Sequence, residues 1–445
     1  MHNICEIDLK SVTKIEGDAA LHLEIEDDKV KDVKFQVTES KRFFTQAMRG
    51  KPVIGLPQLL ARICGTCSNA HIMASIEACE KALNVKATEQ TKLLRALTMY
   101  ALMIRDHALH LYLFVMPDFF GKDSFLELDE NDEAQHQLLH DAFEIKAAGN
   151  FLAQIIAGRS IHATSPTIGG FLHFPSEQDL KEAVVKLEKI RPAVLRLIDV
   201  MKNSSFSLEG DTNFVALETP RFNFLEGDII STVGERITEA QYREHLERVV
   251  IPYSQALGFK YDGQPYMVGA LARLNLIKDK LHKNTKKDAA SALELFPSKN
   301  VFHNNLAQAI EILHSVDDAL EILKNTKISP EPIVKFEMPK TDTVGVGVIE
   351  APRGILYHRV HVGTDGKVID GELVIPTGQN QIILEKNIGK LVEKCLAATA
   401  LAGSRSGGKK MDKDKITFEI EKLIRAYDPC MSCATHFLKV KWTEK

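Results

Sequence analysis

The sequence is poor in cysteine, nearly balanced in charge and free of long apolar runs, and each shortage excludes something. Seven cysteines stand among 445 residues. An odd count in a chain this long argues against a disulfide framework and for a reducing compartment, with paired thiols serving as ligands or redox groups. Lys plus Arg total 56 against 60 Asp plus Glu, a formal net charge of -4, so no basic surface is offered to a polyanion and no nucleic acid partner is expected. No apolar stretch reaches the roughly 18 residues of a membrane span. The first residues, MHNICEIDLK, lack a basic segment followed by an apolar one, and the expectation is a cytoplasmic protein. There is no repeat of fixed period, no low-complexity segment and no clear linker. With 44% hydrophobic and 26% charged residues the disordered and fibrous classes are excluded. The length is about three times a typical domain of roughly 150 residues, and one intertwined unit over 1–445 is expected.

Residues 6–37 alternate between apolar and polar, with Leu21, Leu23 and Ile25 and then Val33, Phe35 and Val37, which predicts an N-terminal β-hairpin region. Stretches rich in Leu, Ala, Met, Lys and Glu predict helices over 57–83, 89–116, 132–157 and 177–202, a helical core spanning 57–202. In the second of these, Leu97, Ala101, Ile104, Ala108, Leu111 and Val115 form one apolar stripe, while Met99, Leu102, Met103 and Leu113 occupy the opposite side. A helix apolar all round belongs in the middle of a bundle, and Asp106 and His110 would be buried there, needing partners or a function. Farther on, strand-like runs at 213–217 and 222–230 precede a helix near 239–248 and another over 302–325. A strand patch over 344–375 follows, then two short helices, a charged loop over 403–415, and a last helix that leads into the C-terminal motif over 416–436. The fold class predicted is mainly α (α+β), a buried bundle of long helices with peripheral strand patches.

Four of the seven cysteines form two spaced pairs, Cys64-Gly-Thr-Cys67 and Cys430-Met-Ser-Cys433, one near each end of the chain. A Cys-x-x-Cys spacing puts two sulfurs on one side of a turn, and two such pairs supply four thiolates to a metal. A structural zinc clip usually joins segments close in sequence, and thioredoxin-like pairs need a strand-helix context that neither pair has. A four-thiolate metal site is the favoured reading, with zinc, iron or nickel left open by the chemistry alone. The remaining thiols, Cys5, Cys79 and Cys395, are scattered and offer no set for an iron-sulfur cluster.

The flanking residues narrow the choice. Arg62-Ile-Cys64-Gly-Thr-Cys67-Ser-Asn-Ala-His71 and Asp428-Pro-Cys430-Met-Ser-Cys433-Ala-Thr-His436 resemble the two nickel-binding signatures of the large, catalytic subunit of nickel-iron hydrogenases. Further likenesses follow in order: Lys14-Ile-Glu16-Gly17, Asp106-His107 with His110 and Pro117-Asp118, Gly158-Arg159-Ser-Ile-His162, Glu350-Ala-Pro352-Arg353-Gly354 and Ile375-Pro376-Thr377. The resemblance spans almost the whole chain. It implies that Cys64 and Cys430 are terminal nickel ligands, and that Cys67 and Cys433 bridge to an iron carrying carbon monoxide and two cyanides. Glu16 would then be the proton-relay carboxylate beside Cys430. Arg353 would lie above the metals, donating to one cyanide and pairing with Asp106 and Asp428. Thr377 would donate to the other cyanide, and Pro352 and Pro376 would help bind the same cofactor. His71 and His162 would lie toward the nearest cluster of an iron-sulfur small subunit.

Three departures stand out. Asp18 occupies the place of a histidine that usually follows the Ile-Glu-Gly run. Thr45 stands where relatives have a glutamate that binds magnesium with the final histidine, here His436, so magnesium would bind through water or not at all. Many relatives are cut after that histidine, whereas Phe437 to Lys445 follow it here, and a type that needs no processing is expected. Arg42-Phe-Phe44 and the Ala-Pro-Arg-Gly run look like the cytosolic bidirectional branch. That branch couples dihydrogen to NAD(P), ferredoxin or a similar acceptor through diaphorase-type, iron-sulfur or flavin subunits. The alternatives are a quinone-pocket subunit related to respiratory complex I, which the intact cysteine pairs oppose, and a zinc-stabilised scaffold.

Overall fold

The structure, a computed structural model, describes residues 4–27, 29–406 and 412–435. Three antiparallel strands, Ile4–Leu9, Ala19–Glu26 and Lys29–Val37, open the chain. The alternation read in the sequence points Leu21, Leu23 and Ile25 into the core, and the predicted hairpin gains the first strand as a third member. The loop between the first two strands carries Glu16.

The helix Glu89–Ala108 is buried on every side, as its unbroken apolar circumference requires. It packs with Glu133–Ala157 and His303–Asn325, and these in turn with Glu177–Lys202, to make the central bundle. Local chemistry sets the ends: Thr88 accepts the Thr91 amide, Asp132 accepts that of Gln135, and Ser176 with Asp179 closes a capping box. Glu89–Ala108 runs on into a wider π-type turn, Leu109–Val115, and one further α turn, Met116–Phe119. Such widened turns concentrate at functional sites, and this one carries His110 to the base of the cysteine site. Among the described residues no helix is long and apolar enough to cross a membrane.

The predicted helix over 57–83 is broken. A short helix Leu56–Leu60 and a tight turn give way to extended backbone at Cys64 (φ -143°, ψ 146°), and the long helix starts only at Ser68. The break turns both sulfurs of the first pair to one side. Near 239–248 a single helical turn, Tyr242–His245, passes into a strand, Leu246–Val250, that pairs with Leu257–Tyr261. Of the predicted strand over 222–230, Asp228–Ser231 forms a strand and Leu225 adds a single bridge to Ile349. After residue 375 there is one helix, Pro376–Ser406, rather than two. Pro376 sits at its first position, where the missing N–H costs nothing.

One packing contact positions the site. Strands Thr343–Ala351, Gly354–Val362 and Val368–Val374 form an antiparallel sheet, and the Ser68–Leu83 helix lies directly on the first of them. A Cβ at Gly345 would stand 1.9 Å from the Ala78 carbonyl oxygen, and one at Gly347 would stand 2.2 Å from that of Ala74. Only glycine lets helix and strand approach this closely, and the contact sets Cys67, just before the helix, against Arg353, just after the strand. Gly347→Ala should therefore cost stability at or above the upper end of the 1–3 kcal/mol typical of overpacking and weaken metal retention. Gly55→Ala, whose Cβ would meet open space, should leave both unchanged in denaturant unfolding and metal analysis.

Candidate metal centre

The two cysteine pairs meet although Cys64 and Cys430 are 366 positions apart. All four sulfurs lie within 4.8 Å of one another and are buried. Cys64 and Cys430 are 3.4 Å apart, Cys67 and Cys433 3.2 Å, and Cys430 and Cys433 3.0 Å. These are far longer than a disulfide bond of about 2.05 Å. Two sulfurs bound to one metal at about 2.3 Å stand roughly 3.3 Å apart at a right angle and about 3.8 Å apart at a tetrahedral one. The observed separations place the sulfurs within reach of a single metal ion. Hydrogen bonds from Cys430, Cys433 and Cys67 hold the Cys64 thiol well below its usual range, while burial, reinforced by the crowded sulfurs, pushes Cys430 and Cys433 well up. A metal that binds here must displace those protons.

Glu16 closes one side. Its backbone forms a one-residue parallel bridge with Cys430, and its carbonyl accepts the Met431 amide at 3.0 Å. Its Oε2 accepts from Cys430 Sγ and from the Ser432 amide, both at 3.1 Å, and Ser432 Oγ donates to Oε1. Gly17 (φ 81°) makes this crossing possible, since a Cβ there would stand 2.8 Å from that of Met431. Asp18 points away, accepting from Thr38 Oγ1 at 2.6 Å and Ser11 Oγ at 3.4 Å.

Arg353 roofs the other side. It donates to Asp106 Oδ2 at 2.5 Å, to Asp428 Oδ1 at 3.0 Å and to the Asp428 carbonyl at 3.1 Å. Although burial opposes its charge, the two aspartates hold Arg353 firmly protonated. Asp428 has the left-handed φ of 48° and is further fixed by Gln308 at 2.9 Å. His110 is held by Gln308 at 2.6 Å and by the Arg425 carbonyl at 2.8 Å, so its ring supports the site from below. A small enclosed cavity touches Cys67, Cys430 and Cys433 and is walled by Arg353, Pro376 and Thr377 with Ile375 and Leu356. Thr377 Oγ1 accepts the Cys430 amide at 2.9 Å, which leaves its own proton for the cavity. Four soft donors, with a small mostly apolar cavity beside three of them and the polar groups of Arg353, Thr377 and His71 in its wall, fit a soft metal ion.

Of the other residues singled out from sequence, His71 lines the same cavity, whereas Pro352, His162 and Thr45 do not. The Pro352 carbonyl accepts from Arg273 at 3.2 Å. His71 is buried against Cys433, with Nε2 3.5 Å from the sulfur, and burial lowers its pKa to about 4. His162 is half-buried in a loop with φ 52°, and its amide donates to Ser68 Oγ at 2.9 Å, beside the first cysteine pair. Thr45 is half-buried on the turn Phe44–Ala47. His436 and the tail Phe437–Lys445 lie outside the described residues.

Two buried networks escaped the sequence reading. Arg273, fully buried, forks onto Glu311 at 2.5 and 2.7 Å and reaches Glu350 at 2.6 Å. Its spare N–H groups hold the carbonyls of Ala351 and Pro352, the two residues before Arg353. Burial pushes Glu350 up to about 7 against the pull of Arg273, while Glu311, despite its own burial, is held below its usual value by Arg273 and His107. Glu311 shares its helix face with Gln308, His314, Ser315 and Asp318, so in the sequence it reads as part of a solvated polar face and gave no signal. The second network joins three segments: Asp118 takes Arg425 at 2.6 and 2.9 Å and Lys14 at 2.8 Å, and Arg425 also donates to the Thr13 carbonyl at 3.1 Å. It clasps the segment bearing Glu16 to the helix that leads into Cys430.

Comparison with known proteins agrees with this geometry. The family model for nickel-dependent hydrogenase matches residues 42–153 and 218–436. The sulfhydrogenase 2 subunit alpha of Pyrococcus furiosus is 34% identical over 437 residues, covering 98% of this chain and all of that one. The beta subunit of the NAD-reducing hydrogenase HoxS of Cupriavidus necator is 27% identical, covering 96% and 94%. Among solved structures, an NAD+-reducing nickel-iron hydrogenase in its H2-reduced state superposes with a TM-score of 0.84 at 22% identity, covering 97% of this chain and 99% of that one.

Asp118→Ala would leave Arg425 buried without its partner. Removing one member of a buried ion pair costs about 3–5 kcal/mol, and a loss of that order is expected in denaturant unfolding, with faster loss of bound metal to a chelator.

Proposed function

The chain belongs to the nickel-dependent hydrogenase family as a large subunit, an oxidoreductase acting on dihydrogen, and on that premise we propose how its residues serve the reaction. Cys64, Cys67, Cys430 and Cys433 would hold nickel, and the sulfurs of Cys67 and Cys433 would also be available to an iron carrying carbon monoxide and two cyanides. When bound, the metal pair supplies the Lewis-acidic, two-electron chemistry that cleaves dihydrogen heterolytically. Glu16 takes the resulting proton at Oε2, from Cys430 Sγ at 3.1 Å, and Ser432 keeps the carboxylate aimed. Arg353, oriented by Asp106 and Asp428, places a fixed positive charge over the cavity. Thr377 offers its hydroxyl to the same space, and Pro376 and Leu356 help to keep it dry. The observation that carries the reading is the contact of a carboxylate with one sulfur of a buried four-thiol cluster.

Electrons need another way out, because Cys5, Cys79 and Cys395 lie apart from the cluster and from one another in the chain. An iron-sulfur small subunit supplies it, with His71 and His162 on the side of the first cysteine pair. The name of one relative, an NAD-reducing hydrogenase, supports NAD(P) as the acceptor; the proposed complex is cytoplasmic, and further diaphorase-type subunits pass electrons to NAD(P), ferredoxin or a similar acceptor. The reading treats residues 1–445 as one intertwined domain, since each end of the chain contributes half of the ligands.

Hydrogen/deuterium exchange in the purified complex tests it. Glu16→Gln should lower exchange by roughly 10²–10⁴-fold, the usual contribution of a positioned acid or base, with nickel retained. Wild-type exchange in that variant removes Glu16 from the relay. Cys430→Ser should lose nickel, and wild-type nickel content would refute its role as a ligand.

A further inference from the structure

We propose that His358 is a positioning residue that fixes the tautomer of His71, so that the Nε2–H of His71 donates to the Cys433 sulfur. The inference rests on the metal reading above and adds to it a residue outside the ligand set. His71 lies one turn beyond Cys67 on the Ser68–Leu83 helix, and its ring bridges two partners: Nε2 is 3.5 Å from Cys433 Sγ and Nδ1 is 3.1 Å from His358 Nε2. Both rings are buried, with 1% and 0% exposure, and their centroids are 5.3 Å apart at 37°.

A neutral imidazole carries one N–H and one bare nitrogen, and which is which is set by its neighbours. A metal-bound cysteine is a thiolate and has no proton to give, so the nitrogen facing it must be the donor. That assigns the proton of His71 to Nε2 and leaves Nδ1 bare. The group 3.1 Å away must then donate, and His358 does so through its own Nε2–H. Without that donor His71 could carry its proton on Nδ1 and set a lone pair against the sulfur.

The fold supplies the alignment. His358 stands five residues past Arg353, on strand Gly354–Val362, directly opposite Gly347. Gly347 is where the helix bearing His71 presses onto the sheet, with the Ala74 carbonyl in the space a Cβ would need. The glycine contact that sets the cysteines relative to Arg353 thus also brings the two imidazoles within reach.

The test uses the assembled holoenzyme with His358→Leu, which removes the donor, and His358→Gln, whose amide can keep one near the same place. Outer partners of metal ligands are typically worth 10–100-fold in metal affinity or activity. His358→Leu should lose nickel to a competing chelator about tenfold or more faster, with a shifted midpoint potential of the centre, and His358→Gln should recover most of both. Wild-type retention and potential in His358→Leu would overturn the proposal, as would a folded His358→Gln variant no better than His358→Leu. The unsubstituted protein gives an independent check, because nitrogen NMR of 15N-histidine protein in a diamagnetic state should show His71 protonated at Nε2 and bare at Nδ1. The reverse tautomer overturns the proposal even if the variants fail to fold. A wild-type complex without nickel removes the function itself. Nickel in the wild type with an unaffected His358→Leu variant removes only the role of His358.

Discussion

Four sulfur atoms drawn from opposite ends of the chain must converge within 4.8 Å in a dry interior, and most of the architecture answers to that constraint. Left as thiols they are a poor core, since they crowd one another and share protons. A soft metal that displaces those protons turns the crowding into coordination. The fold delivers each pair on a rigid lead: the first at the start of the Ser68–Leu83 helix, the second just after Lys413–Ala426. The glycine-mediated helix-sheet contact fixes the first, and the Lys14–Asp118–Arg425 clasp fixes the second along with Glu16.

Buried charge is used here for placement more than for stability. Taking ions out of water costs as much as or more than their mutual attraction returns. Yet two guanidiniums, Arg273 and Arg353, are fully or almost fully buried and each is matched by two carboxylates. Arg273 holds the carbonyls of Ala351 and Pro352 and so sets the turn from which Arg353 projects. Arg353 ties the end of the Glu89–Ala108 helix to Asp428, two residues before Cys430. A shift in either arginine would move the roof of the cavity relative to its floor.

The cysteine spacing and the apolar central helix were legible in the sequence because each is a short pattern, whereas Glu16, Arg353 and Asp428 were singled out only through the family resemblance. The fold class followed from the helical stretches and strand patches, and the family resemblance agrees with it. What escaped depends on contacts between distant segments. The break before Cys64, with its extended backbone, is a feature that helix propensity does not register. Leu246–Val250 became a strand through pairing with Leu257–Tyr261, and the two short helices expected after the strand patch are one, running from Pro376 to Ser406. Arg273, 38 positions from Glu311 and 77 from Glu350, left no local trace. His358 shows its neighbour only when helix and sheet are packed together.

X-ray absorption at the nickel edge of the anaerobically purified complex bears most directly on the four-thiol centre. The expected result is nickel in the protein with cysteine sulfur as its protein-derived first shell, at about 2.3 Å. Absence of nickel, with zinc in a tetrahedral four-sulfur site, or a first shell dominated by nitrogen and oxygen, would contradict it.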